Sequence, residues 1–167
     1  EAEKQLQAMI DWIWRHTHEY FHWYGISWGG IQTHYQPKFG HWSDLTERFG
    51  WLNSEANTQA GVSMHYARTG NRRAFLLMRA MTRHDQDVGT NQRDGMGRRH
   101  FVYAWGQGAN WEHTMLMGPA IYYHLAGCER TRDVIEKTGA STRLAGTCGS
   151  TDRSTHNVMR NALWMYE

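Results

Sequence analysis

The feature that most constrains this chain is a phrase it uses twice. MHYARTGNRRAFLLMRAMTRH, from Met64, and IYYHLAGCERTRDVIEKTGAS, from Ile121, share one order: an aromatic-rich helix end, a glycine, a polar turn and a second helix. Gly70 and Gly127 hold the same place in their units, 57 residues apart, and each suits the left-handed position that follows a helix C-terminus. The closing WMYE, from Trp164, begins the phrase a third time. A helical hairpin of about 50 residues cannot bury its apolar stripe alone and stacks on its neighbours. The expected fold class is therefore all-α, with stacked helical hairpins in an array or toroid.

Helices are expected at 3–22, 53–68, 72–86, 111–125, 129–138 and 154–167. In the first, Leu6, Met9, Ile10, Ile13 and Trp14 recur at helical spacing. Asn53 or Ser54 can cap the second, with Glu55 complementing the helix dipole. Residues 23–50 form a Gly- and aromatic-rich connection around Pro37, in which no strand-like alternation persists. VGTNQRDGMGRRHFVYAWGQGA, between Asp87 and Asn110, has no helical periodicity. Structureless connections this long are uncommon unless functional or disordered, and the aromatic and basic residues argue against disorder. The segment is a candidate site loop.

At 167 residues the chain suits one domain. Lys and Arg number 18 against 16 Asp and Glu, without a basic stripe, which argues against nucleic acid or anionic membranes as partners. No apolar run approaches the about 18 residues needed to span a bilayer. EAEKQLQAMI does not read as a signal peptide. The absence of an initiator Met and an end in what reads as mid-helix suggest a mature form or a piece of something longer. Cys128 and Cys148 read as two free thiols, with pairing left open. Nine Trp, eight Tyr and eleven His stand in a chain of mean hydropathy −0.74. Rings with polar edges suit surfaces that are apolar and hydrogen-bonding at once, as carbohydrate clefts must be.

Three short constellations carry chemistry. HEYFH, residues 18–22, matches the H-E-x-x-H zinc pattern, with His18 and His22 on one helical face and Glu19 as base. With eleven His in the chain, a helix that ends near Gly25 and no third ligand at a recognised spacing, chance is the better account. GMGRRHFVYAW, residues 95–105, gathers Arg98, Arg99, His100, Tyr103 and Trp105. Guanidinium groups clamp carboxylates, imidazole and phenol exchange protons, and indole stacks on a sugar. WEHTMLMG, residues 111–118, is read as opening the next long helix with Glu112 and His113. If alternate helices begin at one end, Asn53, Glu55, Glu112 and His113 collect at one rim beside the 87–110 loop.

FHWYGISWGGIQTHYQP, RFGWLNSEANTQAG, YARTG, RHDQDV, GMGRRH and the pair Trp105-Gly106, in this order from Phe21 to Gly127, resemble the bacterial and fungal exo-rhamnogalacturonan lyase family. That resemblance implies an (α/α) toroid catalytic domain attached to β-rich domains. The known toroids have more helical hairpins than this chain supplies, so about half of a toroid is expected, as a segment of a larger parent. Two departures stand out. Gly29-Gly30 replaces an expected Gly-Asp pair, and Ala104 precedes Trp105 where His is common.

The implied reaction is eliminative cleavage of a pectin backbone of alternating rhamnose and galacturonate. The carboxylate beside the uronate C5 must be neutralised to stabilise the developing carbanion. A base must take the C5 proton, and an acid must protonate the leaving oxygen. From this chemistry, Arg98 or Arg99, helped by Asn53, is assigned to the carboxylate, His100 or His113 to the base, and Tyr103 or Tyr35 to the acid. Trp28 and Trp105 are stacking platforms. Asn53, Glu55 and Asn57 face the sugar, while the small residues after them line a close-packed helix wall. The expected partner is an acidic polysaccharide or oligosaccharide, with no cofactor or metal and a secreted or periplasmic location. A glycoside hydrolase on the same fold, using Glu55 with Glu112 or Asp87, and a non-catalytic sugar-binding repeat are the competing readings.

Overall fold

A computed structural model describes residues 1–20, 32–36, 38, 40–45, 58–97, 114–144 and 163. Five α-helices make the frame: α1 (Ala2–Trp14), α2 (Thr58–Thr69), α3 (Arg72–His84), α4 (Met117–Ala126) and α5 (Glu129–Leu144). Helices α2 and α3 form one hairpin, and α4 and α5 the next, with α2 and α4 side by side. This is the expected all-α arrangement of stacked helical hairpins.

The repeat is visible at atomic scale. Gly70 and Gly127 both end a helix with positive φ, +67° and +62°. Each amide donates to a tyrosine carbonyl four residues back, Gly70 to Tyr66 and Gly127 to Tyr123, both at 2.8 Å. A side chain is strained in that backbone region, so glycine is the cheapest residue for the turn. Asn71 then starts α3, its Oδ1 accepting from the amides of Arg73 (2.9 Å) and Ala74 (3.2 Å).

The main core gathers Ile10 and Ile13 of α1, Val62 of α2, Leu77, Met78 and Met81 of α3, and Tyr122 of α4. Each large apolar side chain buried there contributes about 1.5–3 kcal/mol. A smaller cluster of Leu116, Ala120 and Ile135 joins α4 to α5. The small residues of α2 do form a packed wall, with Ala60, Val62 and Ser63 buried.

Helix α1 is pinned to the first hairpin by a directed polar network. The Asn71 oxygen is taken by the helix cap, so its amide nitrogen donates to Gln7 Oε1 at 3.0 Å. The same Gln7 oxygen faces Nε2 of buried His65 at 3.1 Å, which makes that ring nitrogen the donor. Nδ1 of His65 lies 3.3 Å from Glu3, whose carboxylate also meets Arg68. Arg73 pairs with Asp11 at 2.9 Å and lies over the Trp14 ring.

Several element boundaries differ from expectation. Helix α1 passes into a π-helical turn at Arg15–Tyr20, where the Thr17 hydroxyl donates to the Ile13 carbonyl at 2.9 Å. Within the 23–50 connection, β1 (Gln32–Gln36) pairs antiparallel with β2 (His41–Leu45), and Gly40 takes φ +64° in the turn. Gly40 suits the turn of this ribbon, whose pairing supplies what alternation did not. Helix α4 starts at Met117, not at 111, with Pro119 tolerated in its first turn because no amide partner is needed there. Helix α5 runs through Gly139 to Leu144 instead of stopping at 138. A mid-helix glycine costs only about 1 kcal/mol, and contacts on Thr138 and Ser141 offset it. Cys128 is a half-buried free thiol; Cys148 and the helix expected at 154–167, apart from Leu163, lie outside the described residues.

Candidate functional site at the helix starts

The first turns of α2 and α4 meet at one end of the two hairpins. Gln59, 2% exposed, donates from its amide nitrogen to the Thr82 hydroxyl near the end of α3. The Thr82 hydroxyl in turn donates a hydrogen bond to the Met78 carbonyl at 2.9 Å. Gly118 packs so close that a Cβ there would lie 2.5 Å from Gln59 Cδ. The polar Gln59, to which sequence reading assigned no role, is thus a satisfied interior group.

Beyond α3 the backbone widens into a second π-helical turn, Asp85–Gly89, and then doubles back. Thr90 bridges Gly97 antiparallel, the Asn91 amide donates to the Met96 carbonyl at 2.8 Å, and Gly95 turns with φ +76°. The first part of the expected structureless loop is therefore a hydrogen-bonded strap. It lies along α5, because that helix supplies donors at the right intervals. Thr131 donates to Gln86 Oε1 at 2.8 Å, Arg130 to Gln92 Oε1 at 2.7 Å, and Thr138 to the Gly95 carbonyl at 2.5 Å. Lys137 and Ser141 donate to the carbonyls of Gln92 and Asp94. The strap ends where the Gly97 amide donates to the buried Thr114 hydroxyl at 3.0 Å. Asp85, Gln86, Thr90, Thr114 and Pro119 help line a cavity of ≈ 10 Å³ beside this junction, about the space of one water molecule.

This geometry bears on the sequence-predicted residues in a specific way. Arg98 follows Gly97 and His113 precedes Thr114 in the chain, so the two described residues that flank this candidate segment are hydrogen-bonded to each other. Arg98, Arg99, His100, Tyr103, Trp105, Glu112, His113, Asn53, Glu55, Asn57 and Trp28 themselves lie outside the described residues. Tyr35 stands in β1 at the register position opposite Trp42. One placement is corrected: because α4 begins at Met117, His113 precedes the helix by a non-helical stretch that includes Thr114–Leu116, and does not stand in its first turn.

Asp87, a candidate acid for the hydrolase reading, is engaged by Arg130 at 3.3 Å and by the Gln86 amide at 3.4 Å. His18, from the H-E-x-x-H match, has Nδ1 2.8 Å from the Thr17 hydroxyl and its ring stacked on Trp14 at 3.8 Å. Burial pushes the His18 imidazole below its ordinary range, more strongly than the Trp14 carbonyl and the Glu19 carboxylate raise it. His22 lies outside the described residues. Among the described residues no cluster of metal-ligating side chains occurs, and no helix is long and apolar enough to cross a membrane.

Stacked helical hairpins whose α2 and α4 starts meet at one end, with the strap at 85–97 tied down on α5, are the arrangement of an (α/α) toroid type of domain. The family model of the PcRGLX-like protein C-terminal alpha/alpha toroid domain matches residues 1–160, and the chain belongs to that family. This agrees with the resemblance to exo-rhamnogalacturonan lyases and ties the domain to a polysaccharide-related role. Comparisons with curated proteins and with solved structures returned no match.

Proposed function

We propose that this toroid domain cleaves an acidic, uronate-containing plant polysaccharide, such as rhamnogalacturonan, by β-elimination. The observation that carries this reading is the family match across residues 1–160. The junction of Gly97 with Thr114 adds support, because it brings together the two ends of the segment richest in the required groups. In this reading Arg98 or Arg99, with Asn53, neutralises the uronate carboxylate, which lowers the cost of charge developing at C5. His100 or His113 removes the C5 proton, and Tyr103 or Tyr35 protonates the departing glycosidic oxygen. Trp28 and Trp105 stack on the apolar sugar faces, and Glu55 bonds hydroxyls at the rim. The domain works as a single unit, within a longer secreted or periplasmic protein that also carries β-rich domains.

The hydrolase alternative draws on Glu55 with Glu112 or Asp87. Of these, Asp87 is already engaged by the Arg130 guanidinium at 3.3 Å. The remaining rival is a sugar-binding repeat without turnover. All three are separated by incubating the chain, and any longer natural protein carrying it, with rhamnogalacturonan, polygalacturonate and ulvan. A lyase leaves unsaturated, ultraviolet-absorbing uronate at the new non-reducing ends; a hydrolase leaves those ends saturated; a binding repeat leaves the polymer intact. Absence of unsaturated ends on all three polymers overturns the lyase assignment. His100→Ala and His113→Ala, assayed for turnover and for binding, then separate proton transfer from attachment.

A further inference from the structure

Helix α3 holds four arginines and no acidic residue between Arg72 and His84. We propose that its outward face is a docking surface for an acidic polysaccharide, where uronate carboxylates meet Arg72, Arg79 and Arg83 without these side chains taking part in bond cleavage. This rests on the substrate class proposed above.

The inward side of α3 is apolar, with Ala74, Leu77, Met78 and Met81 in the main core. At about 100° per residue, Arg72, Leu76, Arg79 and Arg83 fall along one line on the opposite side. The three arginines are exposed and Leu76 is half-buried. Their line runs for about 16 Å at a rise of about 1.5 Å per residue. Beside it, half-buried Phe75 packs its ring against Tyr66, with centroids 5.1 Å apart. The mixed charge of the whole chain hides this line, which only helical spacing gathers.

The charge on the line is uncompensated. Arg73, the fourth arginine, pairs with Asp11 at 2.9 Å. Among the described residues no carboxylate pairs with Arg72, Arg79 or Arg83. Arg72 also stands in the first turn, where the helix dipole disfavours a cation. An ordinary solvated face looks different, and α5 provides the comparison within the same chain. At the 57-residue interval of the repeat, Arg72 corresponds to Glu129, Leu76 to Asp133 and Arg79 to Glu136. Those three carboxylates surround Arg132 at 2.6, 3.6 and 3.6 Å, respectively. One hairpin therefore neutralises this face, and the other leaves it positive.

The complementary ligand presents carboxylates along a line with apolar surface between them. A uronate polymer does both. Guanidinium forks clamp its carboxylates, and the CH faces of its sugars settle on Leu76 and the edge of Phe75. Each exposed pair is weak alone, so the grip comes from several made at once. Nucleic acid fits less well, because its outer phosphates offer no apolar surface and a net charge of +2 supplies no broad attractive field.

The test compares the parent chain with a triple variant, Arg72→Gln, Arg79→Gln and Arg83→Gln. A control of equal charge change carries Lys4→Gln, Arg15→Gln and Arg93→Gln, all at exposed positions. Binding to polygalacturonate and to neutral dextran is measured by affinity electrophoresis at low and high ionic strength. At low salt the α3 triple is expected to bind polygalacturonate about tenfold more weakly than the parent, and the control within about threefold of it. High salt should erase the contrast, and dextran should not distinguish the three proteins. Parental affinity in the α3 triple, or equal weakening in both triples, overturns the proposal. So does duplex DNA competing as well as polygalacturonate for the parent chain, or a salt-sensitive dimer in sedimentation that only the α3 triple abolishes. Elimination is assayed separately. Without unsaturated ends the lyase reading falls, while the binding contrast still upholds the docking surface; with unsaturated ends but no contrast, the docking surface falls and the lyase reading stands.

Discussion

Gly61 and Gly118 stand 57 residues apart, the same interval as Gly70 and Gly127, yet the structure predicts opposite responses to one added methyl group. At Gly118 the new Cβ would lie 2.5 Å from Gln59 Cδ and Oε1 and 2.7 Å from its Cγ. Gln59 is the flexible end of a side chain, but it is buried and held by its bond to Thr82, so it cannot move aside freely. Overpacking of this kind costs about 1–3 kcal/mol, and swinging Gln59 away also gives up a buried hydrogen bond worth about 1 kcal/mol. Against this stands a helix-propensity gain of at most about 1 kcal/mol. Gly118→Ala is therefore expected to destabilise the domain by about 2 kcal/mol, lowering Tm by roughly 4–8 °C for a domain of this size. At Gly61 no described atom lies within 4 Å of an added Cβ. Gly61→Ala is expected to raise stability by about 0.5–1 kcal/mol through propensity and a less free unfolded chain. Thermal and urea unfolding of both variants measure the contrast. In a double-mutant cycle, Gln59→Ala should absorb most of the Gly118→Ala penalty, giving a coupling of about 1–2 kcal/mol. Equal signs for the two alanines, or strict additivity with Gln59→Ala, would refute the close approach of α2 and α4 on which the site's rim depends.

Two further outcomes follow from the packing of α1. Asn71→Ala removes the cap of α3 and the donor to Gln7, and is expected to cost about 1–2 kcal/mol, whereas Arg72→Ala beside it, on an exposed side chain, should cost less than about 0.5 kcal/mol; urea midpoints distinguish the two. Because burial lowers the His18 pKa in the folded chain, the fold favours the neutral ring. Its contribution is fully present above the ordinary value of 6.5 and is lost as pH falls from there through the lowered folded value. The stability difference between the parent chain and His18→Gln should therefore shrink on acidification below pH 6.5, as followed by unfolding midpoints across that range, and a difference independent of pH would contradict the half-buried, Trp14-stacked ring.

What the sequence determined by itself was whatever depends on neighbours along the chain. Helical spacing from Leu6 to Trp14 marked α1, the glycine after each aromatic helix end marked the hairpin turns, and both glycines adopt the left-handed backbone that only local sterics require. Repetition of that local unit was enough to indicate stacked hairpins, and the ordered motifs were enough to indicate the family. Pro119, a residue suited to a first turn, is a local sign of where α4 begins, which the expected start at 111 did not use.

What the tertiary structure decided rests on partners far apart in sequence. Nothing local tells that Gln59 meets Thr82 and Gly118, or that His65 is held between Gln7 and Glu3. The turn residues in 90–97 look like an open loop until α5 supplies Thr138, Lys137 and Ser141 to receive it. Helix α5 in turn continues through Gly139 because those contacts outweigh a small propensity cost. Backbone preference acts over a few residues, whereas the closing of Gly97 on Thr114 needs two separately anchored elements to arrive at one point. That meeting, set by packing and hydrogen bonds across the fold, is where the candidate site begins.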